Sequence, residues 1–180
     1  MTGSPRVRPA LPSDALEIVR LGELMYAAVD ILADDEWRAT AVRQVRERLT
    51  GEDLWGWVID ADAPDGGSGP GGRLAASGLV NRHPRLSPPG QLADARAYIQ
   101  WVSTDEAYRR RGFARAIMER IIEDSAVRGF EVLDLHSSPF ARGLYAELGF
   151  RESPAVDYPA DVRGVPMQLR ASAAARPAKH

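Results

Sequence analysis

One strand–helix–strand unit constrains this chain more than any other feature. AYIQWVST (Ala97 to Thr104) is β-rich and reads as a central strand, and VLDLH (Val132 to His136) as a short buried one. Between them, Gly112 to Arg128 reads as one long helix. Phe113, Ile117 and Ile121 share its apolar face, Met118 and Ile122 lie beside them, and Gly129 stands at the C-cap. A helix of that length between two strands of one sheet makes a right-handed parallel crossover. The chain is therefore expected to be an α/β (α+β) protein on one mixed sheet.

The flanking segments fill in that sheet. Arg6 to Arg8 reads as a first strand. Ser13 is the expected N-cap of a helix whose Ile18, Leu21 and Met25 share a face. A second helix, from about Glu36 to Leu49, carries a stripe of Trp37, Ala41, Val45 and Leu49. LWGWVIDA (Leu54 to Ala61) and LAASGLVN (Leu74 to Asn81) read as antiparallel strands around a Gly- and Pro-rich loop at 61–73. Three prolines between His83 and Ala93 mark another break. Pro139 suits the first turn of a helix through Leu148, ended by Gly149, and Val165 to Arg170 closes the sheet. With 180 residues the expectation is one domain over 1–170 and a disordered tail over 171–180.

Composition narrows the chemistry. There is no cysteine, so a thiolate nucleophile and a Cys-ligated zinc are excluded. The three histidines, His83, His136 and His180, have no metal-ligand spacing. Lys plus Arg total 23 against 25 Asp plus Glu, a net charge of -2, which argues against nucleic acid held by bulk charge. No apolar run reaches membrane-spanning length and the first residues lack a secretory core. The reading is a soluble, cytoplasmic domain; a homodimer is a possible assembly.

The window VSTDEAYRRRGFAR (Val102 to Arg115) carries the chemistry. A strand ends near Thr104, a polar turn follows, and Arg109-Arg110-Arg111-Gly112-Phe113-Ala114 opens the long helix. The first N–H groups of a helix have no internal partner, and the helix dipole adds partial positive charge there. Phosphate is the matching ligand, with close approach allowed by Gly112 and Ala114 and charge added by the arginines. Three successive arginines also suit a plain solvated helix start.

A second window, ARGLYAELGF (Ala141 to Phe150), places Leu144 and Leu148 toward the core and Tyr145 one step round from Ala141. The two windows together resemble the GCN5-related N-acetyltransferase (GNAT) superfamily, which pairs Q/R-x-x-G-x-G/A after a strand with a downstream A-x-x-L-Y-x-x-x-G-F-like helix. The resemblance runs from about Arg6 to Arg170, with Arg6 and Asp14 fitting the family's opening strand and helix.

What the resemblance implies is a central, mostly antiparallel sheet with one splayed parallel pair and about four helices. It implies acetyl-CoA as cosubstrate and an amine acceptor as partner, with no metal. Trp101, Val102, Ser103 and Thr104 would bind the pantetheine arm through backbone groups. Arg109, Arg110, Arg111, Gly112, Phe113, Ala114 and Arg115 would hold the diphosphate. Ser137 and Ser138 stand where the family commonly has a cofactor-touching Asn. Tyr145 would be the general acid and the Val102 N–H the oxyanion donor.

With no thiol available, the acceptor amine attacks the thioester directly. A base is not assigned among Asp105, Glu36, His83, His136 and a water chain. Asp34, Asp35 and Glu36 read as an acidic helix start. Tyr98, Gln100 and Trp101, with Trp55 and Trp57, are either acceptor-pocket residues or sheet packing. The alternative function is a non-catalytic acyl-CoA sensor of the same shape.

Overall fold

The parallel crossover is present. Ala97, Tyr98 and Ile99 pair in parallel with Leu133, Asp134 and Leu135, and the helix lies between these strands in sequence. A computed structural model describes residues 5–61, 69–84, 86, 89, 95–154 and 164–170. Its elements run β1 (Val7–Pro9), α1 (Ala15–Ala27), α2 (Asp35–Arg48), β2 (Leu54–Asp60), β3 (Leu74–Pro84), β4 (Ala95–Thr104), α3 (Phe113–Val127), β5 (Val132–Ser137), α4 (Arg142–Glu147), β6 (Arg151–Glu152) and β7 (Val165–Arg170). The strands form a seven-stranded sheet ordered β1-β2-β3-β4-β5-β7-β6. The pairs β1–β2, β5–β7 and β6–β7 are antiparallel. This is the mixed α/β sheet with one parallel pair that the sequence implies.

The chain divides into two compact units, residues 1–80 with 101–121 and residues 81–100 with 122–180. In the first unit the amphipathic faces of α1 and α2 meet β2 and β3. Ile18, Val19, Leu21, Ala41, Val45, Leu54, Val58 and Leu79 form one buried cluster, with Trp37 and Trp101 packed against it. Successive residues of a strand face opposite sides, so Leu79 joins that cluster while Gly78 faces α3. A Cβ at Gly78 would stand 2.6 Å from Ile117 Cγ2 and 3.0 Å from Ile121 Cδ1. The same unit holds a buried charge cluster. Asp14 is fully buried and accepts from Arg8 Nη1 at 2.8 Å and Nη2 at 3.0 Å, and from the backbone of Leu11 at 2.8 Å and Gly71 at 2.9 Å. Arg8 also reaches Asp60 at 2.6 Å.

In the second unit β5 pairs β7 along its length, from Val132↔Arg170 to Ser137↔Val165. Leu133, Leu135, Met167 and Phe150 are buried there, as are Ala97 and Ile99 of β4. Asp134, buried on the opposite side from Leu133 and Leu135, accepts from Gln168 at 2.8 Å and Arg96 at 3.2 Å.

Several boundaries differ from expectation. Ser13 does not cap α1: a 3-10 turn over Pro12–Asp14 leads into the helix, and Asp14 occupies the cap position with its carboxylate turned to other donors. β3 runs on to Pro84 and so includes His83, expected in a loop; a terminal proline needs no ladder donor. α4 is six residues long and starts at Arg142, because Pro139 and Phe140 sit in a turn closed by Ala141 N–H to the Ser138 carbonyl at 3.2 Å. β6, only two residues, was not anticipated. Much of the expected loops at 61–73, 83–95 and 153–164, and all of the 171–180 tail, lies outside the described residues.

Candidate functional site

The window from Val102 to Arg115 falls within the first unit, and its geometry begins with the end of β4. Trp101 has φ 53, a left-handed conformation unusual for a large side chain inside a strand. Its indole lies over Gly22 of α1, where a Cβ would approach Cε3 to 2.9 Å. Its Nε1–H donates to Tyr26 Oη at 3.2 Å. Val102 turns to the other side, 3.5 Å from a Cβ built on Gly78. Thr104 Oγ1 is buried and has no hydrogen-bond partner among the described residues.

Asp105 anchors the turn that follows. Its carboxylate is buried and accepts from the Ala107 N–H at 3.1 Å, Arg20 Nη1 at 2.8 Å and Arg73 Nη2 at 3.0 Å. Arg20 is itself held by Glu17 and by the Leu74 carbonyl, and Glu17 accepts the Leu74 N–H. Burial disfavours the Asp105 carboxylate, but the Ala107, Arg20 and Arg73 donors outweigh it and hold its pKa below the ordinary value. Such a carboxylate is a poor base. Of its two sequence readings, turn cap and base, the geometry supports the cap.

The arginine segment is open. Arg109, Arg110 and Arg111 are exposed; Arg109 pairs with Glu106 at 3.3 Å, and Arg111 lies 5.0 Å over the Tyr108 ring, which stacks on Phe113. Arg110 has φ 64 and Gly112 φ 80, and none of the described residues comes within 4 Å of a Cβ built on Gly112. Left-handed residues in a loop turn successive N–H groups toward one side, a favoured arrangement for anions. The first intrahelical bond runs from Ala116 N–H to the Gly112 carbonyl at 3.0 Å. The N–H groups of Phe113, Ala114 and Arg115 therefore precede the helix's own ladder.

Ser137, Ser138 and Tyr145 belong to the second unit. Ser137 is buried, and its hydroxyl donates to the Ser138 carbonyl at 2.8 Å. Tyr145 is buried where Leu144 and Leu148 were expected, and those two are only half-buried. The six-residue helix turns its tyrosine inward against Phe150, with ring centroids 6.0 Å apart. Burial pushes the Tyr145 phenol up to about 12. On the strands of this unit, Tyr98 Oη and His136 Nδ1 lie 2.9 Å apart, with His83 beside Tyr98. Burial lowers the His136 pKa, against the opposing Asp134 charge.

Sequence reasoning missed the cluster of Tyr26, Trp37 and Trp101 as a unit. Its signal was Gly22 four residues before Tyr26, a small residue on the same helical face. Asp34, Asp35 and Glu36 sit at the start of α2, with Asp34 accepting the Trp37 N–H at 2.7 Å.

Comparison with known proteins agrees with these elements. A family model described as acetyltransferase (GNAT) domain matches residues 90–171. GCN5-related N-acetyltransferase 1, chloroplastic, of Arabidopsis thaliana is 40% identical over 58 residues, 32% of this chain and 29% of that protein. The chain thus matches under a third of the length of that curated relative. A GCN5-related N-acetyltransferase from Ralstonia eutropha superposes with TM-score 0.67 at 25% identity, covering 87% of this chain and 98% of the other. A predicted acetyltransferase from Clostridium acetobutylicum, solved with acetyl-CoA, gives TM-score 0.72 at 15% identity over 86% and 95% of the two chains. Residues 90–171 thus match an acetyltransferase (GNAT) domain, and the chain shares its fold with solved GCN5-related N-acetyltransferases.

Proposed function

We propose that the protein transfers an acetyl group from acetyl-CoA to the amine of a small molecule or peptide. The observation that carries this reading is the exposed Arg109–Gly112 segment, with Arg110 and Gly112 left-handed, opening directly onto the first amides of α3. Diphosphate suits those amides and guanidiniums, which Arg109, Arg110, Arg111, Gly112, Phe113, Ala114 and Arg115 supply. The backbone of Trp101, Val102, Ser103 and Thr104 takes the pantetheine arm, and the unpartnered Thr104 hydroxyl fits a ligand that brings polar atoms there. Ser138 is the better of the two serines for a cofactor contact, since the Ser137 hydroxyl already donates to the Ser138 carbonyl. A cytoplasmic location stays part of the proposal.

In the reaction the neutral amine nitrogen attacks the thioester carbonyl carbon, forming C–N while the Val102 N–H receives the developing oxyanion. The C–S bond then breaks, the Tyr145 hydroxyl gives its proton to the departing thiolate, and the excess ammonium proton, passed through water, restores the phenol. A phenol whose pKa is pushed up to about 12 stays protonated through the neutral range, as an acid must. The test is thiol release from acetyl-CoA over a panel of amines, with CoA binding by calorimetry. Tyr145→Phe is expected to lower kcat by about 100-fold or more while CoA affinity changes less than about threefold. Absence of binding at millimolar CoA overturns the reading. Binding without turnover on any amine assigns the protein to acyl-CoA sensing instead.

A further inference from the structure

The first unit holds a second feature, built from ring side chains rather than from the backbone groups given to CoA. Tyr26 of α1, Trp37 of α2 and Trp101 of β4 meet ring to ring. Tyr26–Trp37 centroids lie 5.8 Å apart at 87°, Tyr26–Trp101 6.1 Å at 88° and Trp37–Trp101 5.9 Å at 40°. Edge-to-face packing accounts for the attraction of Tyr26 to the two indoles; Trp37 and Trp101 rest on the core cluster, yet each of the three rings remains partly exposed. Trp101 is held there in a left-handed conformation, over a glycine that leaves room for its indole. A strained bulky residue kept at a surface cluster marks a place where the fold serves a ligand.

The charges around the cluster choose the ligand. From Glu23 to Arg38 the chain carries Glu23, Asp30, Asp34, Asp35 and Glu36 against the single cation Arg38. Arg38 is occupied by Glu23 and Asp35. The Ile31 N–H bonds the Tyr26 carbonyl at 3.0 Å, which closes a turn at the end of α1, with Asp30 at φ 59 and with Ile31 and Leu32 exposed. Aromatic faces within a net negative, partly apolar surround attract an organic cation and disfavour an anion.

We propose that Tyr26, Trp37 and Trp101 form the subsite that selects the acceptor, and that it takes a small ammonium ion bearing an apolar substituent. The proposal deepens the acetyl-transfer reading and rests on it for the word acceptor; the binding itself does not. The ammonium sits against the ring faces, and the fraction that loses its proton reacts. Selection of this kind acts on acceptor KM and leaves the acetyl-CoA KM alone.

The decisive probe is benzyltrimethylammonium chloride, which has no transferable proton and cannot be acylated. Its binding is followed by tryptophan fluorescence and calorimetry beside neutral benzyl alcohol and anionic benzoate. The cation is expected to bind about 3- to 30-fold more tightly than the alcohol, and benzoate more weakly than either. Trp37→Ala lowers cation affinity by about 3- to 30-fold, whereas Tyr26→Phe and Trp37→Phe, which keep a ring, retain most of it; circular dichroism melting verifies that each variant is folded. Equal affinity for cation and alcohol, or a folded Trp37→Ala protein that binds the cation as before, overturns the proposal. Failure of the acetyl-transfer reading shows separately, as absent thiol release and absent CoA binding.

Discussion

Replacing Asp105 by alanine removes the point where α1, β3 and the arginine segment are tied together. The carboxylate caps the 106–108 turn through the Ala107 N–H and takes a guanidinium from Arg20 and another from Arg73. Loss of a capping side chain costs about 0.5–2 kcal/mol. The Arg20 bond, charge-assisted and partly buried, adds about 1.5–3 kcal/mol; Arg20 keeps Glu17 and the Leu74 carbonyl, so the lower end applies. The Arg73 side chain is 63% exposed and returns to water at little cost. The expected loss is about 2–4 kcal/mol, measured from denaturant midpoints at constant slope.

The same carboxylate sets a pH dependence. Asp105, Asp14 and Glu17 are all held below their ordinary values by donors that outweigh burial. They are more acidic folded than unfolded, so their stabilisation is complete above the unfolded pKa of about 4. It is lost as pH falls from there through the folded values. Asp105→Ala flattens that acid limb while leaving the wild-type and variant curves parallel above about pH 5. A destabilisation under about 0.5 kcal/mol, below what loss of a cap alone should cost, would refute this account, as would an unchanged acid limb.

Two packing predictions follow from the core. Gly78→Ala drives a Cβ into Ile117 and Ile121 and is expected to lower stability by about 1–3 kcal/mol, although a strand ordinarily prefers alanine to glycine; a raised denaturant midpoint would contradict the packing. Phe150→Ala empties a fully buried site at a cost of about 3–5 kcal/mol. It also opens the surround of Tyr145, so spectrophotometric titration should find the phenol moving down from about 12 toward its ordinary value.

The α/β class and the crossover were legible because α3 repeats its apolar residues with helical period and ends on a glycine at φ 83. Local signals were weaker where a side chain had competing partners. Ser13 looked like a cap, but Arg8, fixed on β1, and Gly71, after β2, draw the neighbouring Asp14 carboxylate into a buried cluster. That contact depends on residues 57 positions apart, which no window along the chain registers. Leu144 and Leu148 were expected inward and are only half-buried, because a short helix gives too few repeats to fix its buried face. The arginine segment was legible as chemistry, since glycine and strand end lie in sequence, while the left-handed Arg110 was not. The aromatic cluster draws on three elements and stayed invisible until they met.

The Asp14 cluster also makes the start of the chain answerable to a distant turn. Peeling β1 away would take Arg8 with it and leave a fully buried carboxylate facing only two amides. Opening the turn at Gly71 would subtract one of those amides as well. Fraying at the amino-terminal edge and melting of that turn should therefore happen together, as a single cooperative event, rather than as separate local breathing.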